Sequence, residues 1–269
     1  MEKVKIPRTP KYPIQTIEKA LEVIELLSRE RSREGMSISD LSTELNIGKS
    51  TVHRILETLL VKNYIEQSED TKKYRLGWKL FEVGNLIPRQ RNLYNVDTRI
   101  LQELCDICEE TVNLGVRVQD SVVTISKVSP RASLIANLQI GARESLYATA
   151  MGKAMISEMT KEELVNVMGA QEFEAYTSNT ITTIDDLMIE LEKIRRQGYS
   201  IDDEEFCAGL TCVAMPVRDF KGEIVAAISV SGASIRMTFN KISHIQSGLK
   251  EATDKLSRFL GWQENIPKS

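Results

Sequence analysis

One short stretch determines how the first part of this 269-residue chain folds: Gly48-Lys49-Ser50-Thr51-Val52-His53-Arg54-Ile55-Leu56-Glu57-Thr58-Leu59-Leu60. Its apolar residues recur at helical spacing from Val52 to Leu60, so the stretch is predicted to form a helix with one stripe facing a core. A turn of about 100° per residue places Ser50, Arg54 and Glu57 on the opposite face. The exposed face of this helix is therefore predicted to be polar and largely basic.

The residues before this helix predict a helix-turn-helix. Residues 38–45 form an amphipathic pattern that opens with a Ser37-x-x-Asp40 capping sequence and ends at Asn46-Ile47-Gly48, which suits a tight turn. Two short helices joined by such a turn are typical of a helix-turn-helix. A third helix is predicted upstream, and its apolar stripe is expected to consist of Ile17, Ala20, Leu21, Ile24 and Leu27.

The residues after the helix predict a β-hairpin. Residues 64–67 and 72–76 are strand-like and residues 68–71 form a polar turn, with the basic residues on the return strand. A helix-turn-helix followed by such a hairpin is a winged helix, whose wing would meet phosphate or a minor groove of DNA. The residues predicted to contact DNA are Lys49, Ser50, Thr51, His53, Arg54, Lys72 and Lys73.

Basic residues of this region do not all need a nucleic-acid partner. Most Lys and Arg side chains on a surface are only solvated, and this alternative stays open for Arg75, Lys62 and His53. Ser50 and Arg54 are stronger candidates because the helix face, the preceding turn and the basic hairpin all indicate DNA. Glu57 would repel phosphate, so it either accepts from a cytosine amino group or pairs with a neighbour such as Arg54.

Composition limits the class of protein. With 42% hydrophobic and 27% charged residues, the chain is expected to be globular, with room for two domains. No apolar run approaches the roughly 20 residues that span a bilayer, and the first residues lack the apolar segment of a secretory signal, so a cytoplasmic protein without membrane contact is expected. The net charge is −3, yet residues 1–90 hold 16 Lys and Arg against 13 Asp and Glu. Basic residues therefore concentrate at the predicted DNA-binding end.

No metal site or cofactor is predicted. Cys105 and Cys108 form a single C-x-x-C within a helical pattern, where this spacing usually means small buried residues. The two histidines, His53 and His244, have no ligand cluster near them in the sequence, and Gly-rich phosphate motifs are absent.

Beyond the winged helix the pattern predicts a linker helix over residues 77–93 and then an α+β domain. The aromatic residues of the linker suit either a dimer contact or packing on their own domain. Strands are predicted at residues 112–118, 122–128, 134–139, 198–202, 211–218 and 224–231, and helices up to about residue 110, near residue 150 and at residues 161–168, 184–197 and 240–260. Helices and strands do not alternate strictly, which favours an antiparallel sheet. The predicted domains are 1–76, 77–93 and 94–269.

Five blocks of the sequence resemble the IclR family of bacterial transcriptional regulators, and together they span nearly the whole chain. The blocks are Gly48–Leu56, Leu146–Ala154, Gly198–Glu205, Gly209–Ala214 and Ala226–Gly232. The resemblance implies a winged helix-turn-helix joined to a GAF-like effector-binding domain. It also implies homodimers or homotetramers that bind palindromic double-stranded DNA operators.

The same resemblance implies a site for a small organic acid at Ala150, Met151, Asp202, Cys212, Ser229 and Ser231. Physical chemistry gives separate reasons for these positions: N–H groups at a helix start favour a carboxylate, and two serines in alternation project from one face of a strand. Asp202 would accept from a ligand hydroxyl, with Leu210 and Met151 as apolar walls. The alternative is that the small residues only fill space and that Asp202 is a turn or cap residue.

These features predict a sequence-specific DNA-binding transcriptional regulator, not an enzyme, whose operator affinity is modulated by the bound acid. Acid binding would change the spacing or orientation of paired winged helices, and the coupling would be reciprocal. Two alternatives stay open: a metabolite-binding enzyme with Cys212 as nucleophile, for which no base is evident, and a winged helix that binds protein. Effector identity and the choice between repressor and activator are not predicted.

Overall fold

The computed structural model describes residues 11–29, 34–86, 98–130, 139–169 and 172–263. Contacts divide the chain into two compact units, one of which is Pro7–Asn95 while the other consists mainly of Val96–Ser269. Residues 87–97 lie outside the described part, so the domain limits 1–76, 77–93 and 94–269 remain predictions. Within the described residues, no helix combines the length and the apolar character needed to cross a bilayer.

The first unit is a helix-turn-helix with a wing, as predicted. Its helices are α1 Gln15–Leu27, α2 Ile38–Leu45, α3 Lys49–Val61 and α4 Trp78–Gly84. Its wing consists of the antiparallel strands β1 Ile65–Gln67 and β2 Tyr74–Leu76. The apolar faces of α1, α2, α3 and the wing share one core, in which Val23, Leu41 and Val52 are fully buried.

Capping residues set the turn between α2 and α3. The Ser37 hydroxyl accepts from the Asp40 N–H at 3.2 Å, and the Asp40 carboxylate accepts from the Ser37 N–H at 2.9 Å, which completes the predicted capping box. The bonds from Ser37 lower the pKa of Asp40. Asn46 ends α2 in the left-handed region with a φ of 52°, a conformation that Asn adopts more readily than most residues. These contacts fix the direction in which α3 leaves the turn.

The predicted apolar stripe of α1 was wrong in detail. The buried stripe of α1 is Val23, Leu26 and Leu27, whereas Ile17 and Leu21 are each 54% exposed. Two apolar stripes overlap on this helix, and packing against α2 and α3 selects the one around Val23. Within the described residues the linker predicted at residues 77–93 is represented by α4, which ends at Gly84. Residues 87–93 lie outside the described part, so the extent of the linker helix remains a prediction.

The wing also differs from its prediction. The return strand begins at Tyr74, so Lys72 and Lys73 lie in the turn and not on the strand. Lys72 takes a φ of 57° there, which a strand residue does not adopt.

The second unit is an antiparallel sheet with helices on both faces. Its strands are β3 Thr111–Val118, β4 Ser121–Val128, β5 Arg143–Ser145, β6 Ser200–Asp203, β7 Leu210–Arg218 and β8 Ile224–Ala233. They lie in the order β5-β4-β3-β8-β7-β6. Its helices are α5 Thr98–Cys108, α6 Ala150–Ile156, α7 Lys161–Met168, α8 Ile184–Gln197 and α9 Phe239–Phe259. The predicted α+β class with an antiparallel sheet is confirmed.

Local chemistry explains the strand limits that differ from prediction. β5 was not predicted because Arg143, Glu144 and Ser145 show no apolar alternation. β6 begins at Ser200 and not at Gly198, since Gly198 caps the end of α8 in the left-handed region with a φ of 83°. The strand predicted at residues 134–139 lies outside the described residues except for residue 139.

The two faces of this sheet differ in chemistry. Side chains alternate along each strand, so β8 turns Ile228 and Val230 to one face and Ser229 and Ser231 to the other. The first face is apolar and packs against α5 and α9, where the thiols of the C-x-x-C are also buried. The second face lies under α6. We call it the polar face, because buried polar residues interrupt its apolar ones: Asn113, Thr124, Glu144, Ser200, Asp202, Ser229 and Ser231.

One buried carboxylate joins three parts of the second unit. Glu110, between α5 and β3, is fully buried and accepts from Nε and Nη2 of Arg236 at 2.8 and 2.7 Å and from Nζ of Lys241 at 2.7 Å. Burial opposes ionisation, but the bonds from Arg236 and Lys241 outweigh it and lower the pKa of Glu110. Gly232 leaves room for the carboxyl, since a Cβ there would lie 2.8 Å from Glu110 Cδ. The start of β3 is thereby tied to the segment between β8 and α9 and to the first turn of α9.

Replacing Arg236 by Met is expected to lower the free energy of unfolding by about 2 kcal/mol, because the Glu110 carboxylate loses its bidentate partner while it stays buried. Urea denaturation measures the change. The control is Lys250→Met, since Lys250 pairs with Asp254 on the exposed side of α9 and such pairs contribute less than about 1 kcal/mol. Equal, small effects of both variants would contradict an anchoring role for Glu110.

Candidate functional site

The exposed face of α3 presents the residues predicted to contact DNA. The side chains of this face are exposed, while the apolar stripe of the same helix is buried in the core. An open cleft of about 620 Å³ lies at the start of α3. Its lining residues are Ile38, Ser39, Lys49, Ser50, His53 and Arg54. Cationic and hydroxyl groups on a projecting helix have the chemistry that binds phosphate oxygens and base edges.

Acidic residues near this face pair with two of the basic side chains. Glu57 Oε2 lies 3.4 Å from His53 Nδ1, so the partner of Glu57 is His53 and not the expected Arg54. In the wing, Arg75 donates to Glu66 Oε2 from Nε at 3.2 Å and from Nη2 at 3.0 Å. This cross-strand ion pair reduces the charge that Arg75 offers to a phosphate.

Large apolar side chains are exposed on α1 and α4. Ile17 and Leu21 are each 54% exposed, and Trp78 and Phe81 are 73% and 63% exposed. The two aromatic rings meet edge to face with centroids 5.9 Å apart, and α4 buries none of its residues. Of the two alternatives that the sequence left for these aromatics, packing on their own domain is therefore wrong. Exposed apolar surface of this kind is typical of protein–protein contacts.

In the second unit, the residues predicted to bind an acid lie together on the polar face. Asp202 on β6 is opposite Cys212 on β7, which is opposite Ser231 on β8, so the three form one row across the sheet. Ser229 lies two residues before Ser231 on the same face. All four side chains are at least nine-tenths buried. Leu210, at the start of β7, belongs to the apolar cluster around this row.

Helix α6 covers the row and begins at Ala150, as predicted. Thr149 caps the helix and its hydroxyl accepts from the Gly152 N–H at 3.1 Å, so of the N–H groups at the helix start this one is already bonded within the protein. The Ser200 hydroxyl donates to the Ala150 carbonyl at 2.7 Å and thereby ties α6 to β6. The Met151 thioether lies over Gly115, where a Cβ would be 3.0 Å from its sulfur.

Asp202 and Cys212 are both strongly desolvated. The Asp202 Oδ1 accepts from the N–H groups of Glu205 at 2.8 Å and Phe206 at 3.3 Å, so one oxygen has the turn-capping role that the sequence left open. Burial raises the pKa of Asp202 to about 7. Burial and the nearby Asp202 raise the pKa of the Cys212 thiol. A thiol of this kind is not an activated nucleophile.

Sequence reasoning missed Asn113, which organises the serines. Its Nδ2 donates to the hydroxyls of Ser229 at 3.4 Å and Ser231 at 3.3 Å. Because the serine oxygens accept from Asn113, their own protons are left for other acceptors. The signal was the alternation of Thr111, Asn113 and Gly115 along β3, which has meaning only once β3 is paired with β8.

A buried ion pair between Lys153 and Glu205 was also missed. Lys153 on α6 is fully buried and its Nζ donates to Glu205 Oε1 beside the row. Burial raises the pKa of Glu205, and the Lys153 charge opposes that rise without cancelling it. The lysine follows Gly152 inside a small-residue block, where its sequence pattern suggested an exposed side chain as readily as a buried one.

Comparison with known proteins assigns the family. Residues 16–69 match the model described as the IclR helix-turn-helix domain, and residues 88–258 match the one described as bacterial transcriptional regulator IclR C-terminal. The chain is 31% identical over 251 residues to the HTH-type transcriptional regulator KdgR of Escherichia coli (strain K12), which covers 93% of this chain and 94% of that protein.

Solved structures agree with this assignment. The crystal structure of the Thermotoga maritima IclR superposes with a TM-score of 0.78 at 31% identity and covers 93% of this chain and 100% of that one. An IclR homolog from Microbacterium hydrocarbonoxydans, solved in complex with 4-hydroxybenzoate, superposes with a TM-score of 0.75 at 20% identity and covers 90% and 99% of the two chains. At that lower identity the likeness shows the fold.

The winged helix and the α+β domain, with these matches, define a bacterial DNA-binding transcriptional regulator. The chain belongs to the IclR family, which confirms the resemblance drawn from its sequence blocks. Its relatives are named as regulators and repressors and not as enzymes. The enzyme alternative built on Cys212 is therefore wrong.

The ion pair under α6 gives a prediction. Replacing Lys153 by Met is expected to lower the free energy of unfolding by roughly 3–5 kcal/mol, because the Glu205 carboxylate then stays buried without a cation. Burial raises the pKa of Glu205 in the folded state, and removal of the Lys153 charge raises it further. The loss should therefore be smaller near pH 5 than near pH 8, because a larger fraction of the carboxyl is protonated at the lower pH. Urea denaturation at both pH values measures it.

The control is the double variant Lys153→Met/Glu205→Leu, which removes both charges and should recover most of the stability. A single variant that unfolds like the wild-type protein at pH 8 would contradict the pairing.

Proposed function

We propose that this protein is a sequence-specific transcriptional regulator whose affinity for operator DNA changes when a small organic acid binds on the polar face. The observation that carries this proposal is the row of Asp202, Cys212 and Ser231, with Ser229 beside it. Buried polar groups are costly unless they are hydrogen-bonded, and the hydroxyl protons of Ser229 and Ser231 are placed to donate to a bound carboxylate. The family homolog solved with 4-hydroxybenzoate is a precedent for an acid ligand in this fold.

In the proposed DNA complex, α3 reads bases and the wing positions the protein. Lys49, Ser50, Thr51, His53 and Arg54 lie on the reading face, and Arg54 is the best candidate for a guanine contact because Arg pairs bidentately with its O6 and N7. Lys72 and Lys73 in the wing turn contact phosphates, which adds affinity without sequence preference.

We further propose that the protein binds its operator in the cytoplasm as a homodimer or homotetramer. Exposed apolar residues on α1 and α4, Trp78 and Phe81 among them, support a contact between copies of the winged helix. Two paired winged helices read two half-sites of a palindrome. The acid would act by changing their spacing, and DNA would in turn change acid affinity by the same factor.

A protein-binding winged helix is the second candidate, and the first unit supports it less well. A surface that binds protein is usually depleted in lysine at its centre, whereas the cleft at α3 is lined by Lys49, His53 and Arg54. A duplex-binding assay separates the two candidates.

Replacing Arg54 by Ala is expected to weaken binding to a duplex selected by the wild-type protein from a random pool by about 1–3 kcal/mol, and to affect a scrambled duplex much less. Lys72→Ala should weaken both duplexes alike and reduce the slope of log affinity against log salt by about 1. Fluorescence anisotropy over a salt series measures both effects.

The matched control is Lys62→Ala, at the opposite end of α3 and about 20 Å from Lys49 along the helix axis. Its affinity should stay close to that of the wild-type protein. If Arg54→Ala bound both duplexes as tightly as the wild-type protein, base reading by α3 would be excluded.

Acid binding is expected to depend on pH. Asp202, whose burial raises its pKa to about 7, faces Cys212, Glu205, Lys153 and the proposed ligand. A bound carboxylate favours the protonated form of Asp202, so binding takes up a proton and affinity should fall as pH rises from 6 to 8. Calorimetry with a carboxylate panel, in two buffers of different ionisation enthalpy, measures the uptake.

Asp202→Asn should flatten this dependence, while Asp203→Asn, on the exposed side of the same strand, should leave it unchanged. Equal proton uptake in the wild-type protein and in Asp202→Asn would exclude Asp202 as the titrating group.

A further inference from the structure

The polar face extends beyond the proposed acid site. Across the sheet from Asp202 lie Asn113 on β3, Thr124 on β4 and Glu144 on β5, and these side chains are 0%, 0% and 6% exposed. Thr124 is opposite Gly115, and Glu144 is opposite Val122, which packs in the cluster under α6. Because opposed residues of neighbouring strands share a face, all three side chains belong to the face that carries Ser229 and Ser231.

Each of these residues holds a buried polar atom without a partner. Among the residues that the structure describes, Asn113 Oδ1, Thr124 Oγ1 and Glu144 Oε1 make no hydrogen bond. Buried polar atoms of native proteins nearly always have a partner, and each exception needs an explanation. A fourth such atom, Glu205 Oε2, belongs to the carboxylate that pairs with Lys153. The other three lie on one face next to the proposed ligand site, where a ligand would complete their hydrogen bonds.

The buried atoms without a partner define the chemistry of that ligand. The amide N–H groups of Asn113 donate to the two serines. Its Oδ1, which can only accept, is left without a partner among the described residues. Burial raises the pKa of Glu144 to about 7, so its carboxyl accepts when it is ionised and donates when it is protonated. The Thr124 hydroxyl can likewise accept or donate. Asn113 Oδ1 therefore requires a donor, and Thr124 and Glu144 match a hydroxyl group, which can both donate and accept. The hydroxyls of Ser229 and Ser231 can donate to a carboxylate.

We infer that the ligand is a hydroxylated carboxylic acid, held with its carboxylate at Ser229 and Ser231 and with its hydroxyl groups at Asn113, Thr124 and Glu144. This inference rests on the proposed function, since it names the class of acid that the same site takes. Thr124 and Glu144 are then specificity-determining residues that no sequence block indicated.

Two further observations agree with one continuous site. The Glu144 charge is one of those that raise the pKa of Cys212, after burial and Asp202, so both ends of the polar face act on the same interior. Met151 lies over Gly115, which is opposite Thr124 in the sheet. Methionine is flexible, so its side chain can adapt to ligands of different length.

Calorimetry on the full chain tests the inference with acids matched in carbon skeleton. The probes are D-gluconate against hexanoate, and 4-hydroxybenzoate against benzoate, so that the two pairs distinguish an aliphatic from an aromatic hydroxy acid. The wild-type protein should bind the hydroxylated member of one pair at least about tenfold more tightly, because the plain acid leaves the acceptors without partners.

Variants assign the preference to the named residues. Thr124→Val and Glu144→Leu should reduce the preference to within about threefold while affinity for the plain acid stays the same, and Thr124→Ser should retain the preference. Ser126→Ala, on β4 but facing the other side of the sheet, is the matched control and should change nothing. Ser229→Ala should weaken both members of the pair equally. Thermal unfolding of each variant checks that it is folded.

The outcomes separate the two proposals. A plain acid that binds as tightly as its hydroxylated partner, or a preference that survives both Thr124→Val and Glu144→Leu, overturns the inference and leaves an acid-responsive regulator. If no acid of either pair binds the wild-type protein, the result contradicts both the inference and the acid site of the proposed function.

Discussion

The second unit depends on one constraint, which is that a polar atom taken out of water must find a partner. The apolar face of the sheet avoids the problem by packing against α5 and α9. Elsewhere in the unit, buried carboxylates are paired with cations. Glu110 accepts from Arg236 and Lys241, and Glu205 accepts from Lys153. Both arrangements hold neighbouring segments in place, because a buried charge that loses its partner is strongly destabilising.

The polar face under α6 meets this constraint only in part. Asn113 orients the two serines, and Asp202 caps the turn at Glu205. At Thr124 and Glu144 the protein supplies no partner from its described residues. The buried polar atoms on this face without a partner among the described residues are what support the proposed ligand site.

Local periodicity was enough to predict the exposed face of α3 and the shared face of Ser229 and Ser231. Both follow from the geometry of a single helix or strand, and the capping residues Ser37 and Asn46 could be read directly. Features that depend on tertiary packing could not be predicted from local periodicity. The burial of Val23 in place of Leu21 is decided by neighbouring helices, and the bond from Asn113 to Ser229 joins residues 116 positions apart. Glu144 was missed because a three-residue edge strand has too little pattern to be noticed.

The edges of the sheet limit how copies of this protein can assemble. The outer strands β5 and β6 have three and four residues, so each offers few unsatisfied main-chain groups to a strand from another molecule. Short edges are one way in which natural sheets avoid unwanted strand addition. Association through β-augmentation is thereby disfavoured on this domain, so a contact between copies would have to use helical surfaces, whose side chains can change without disturbing any backbone ladder.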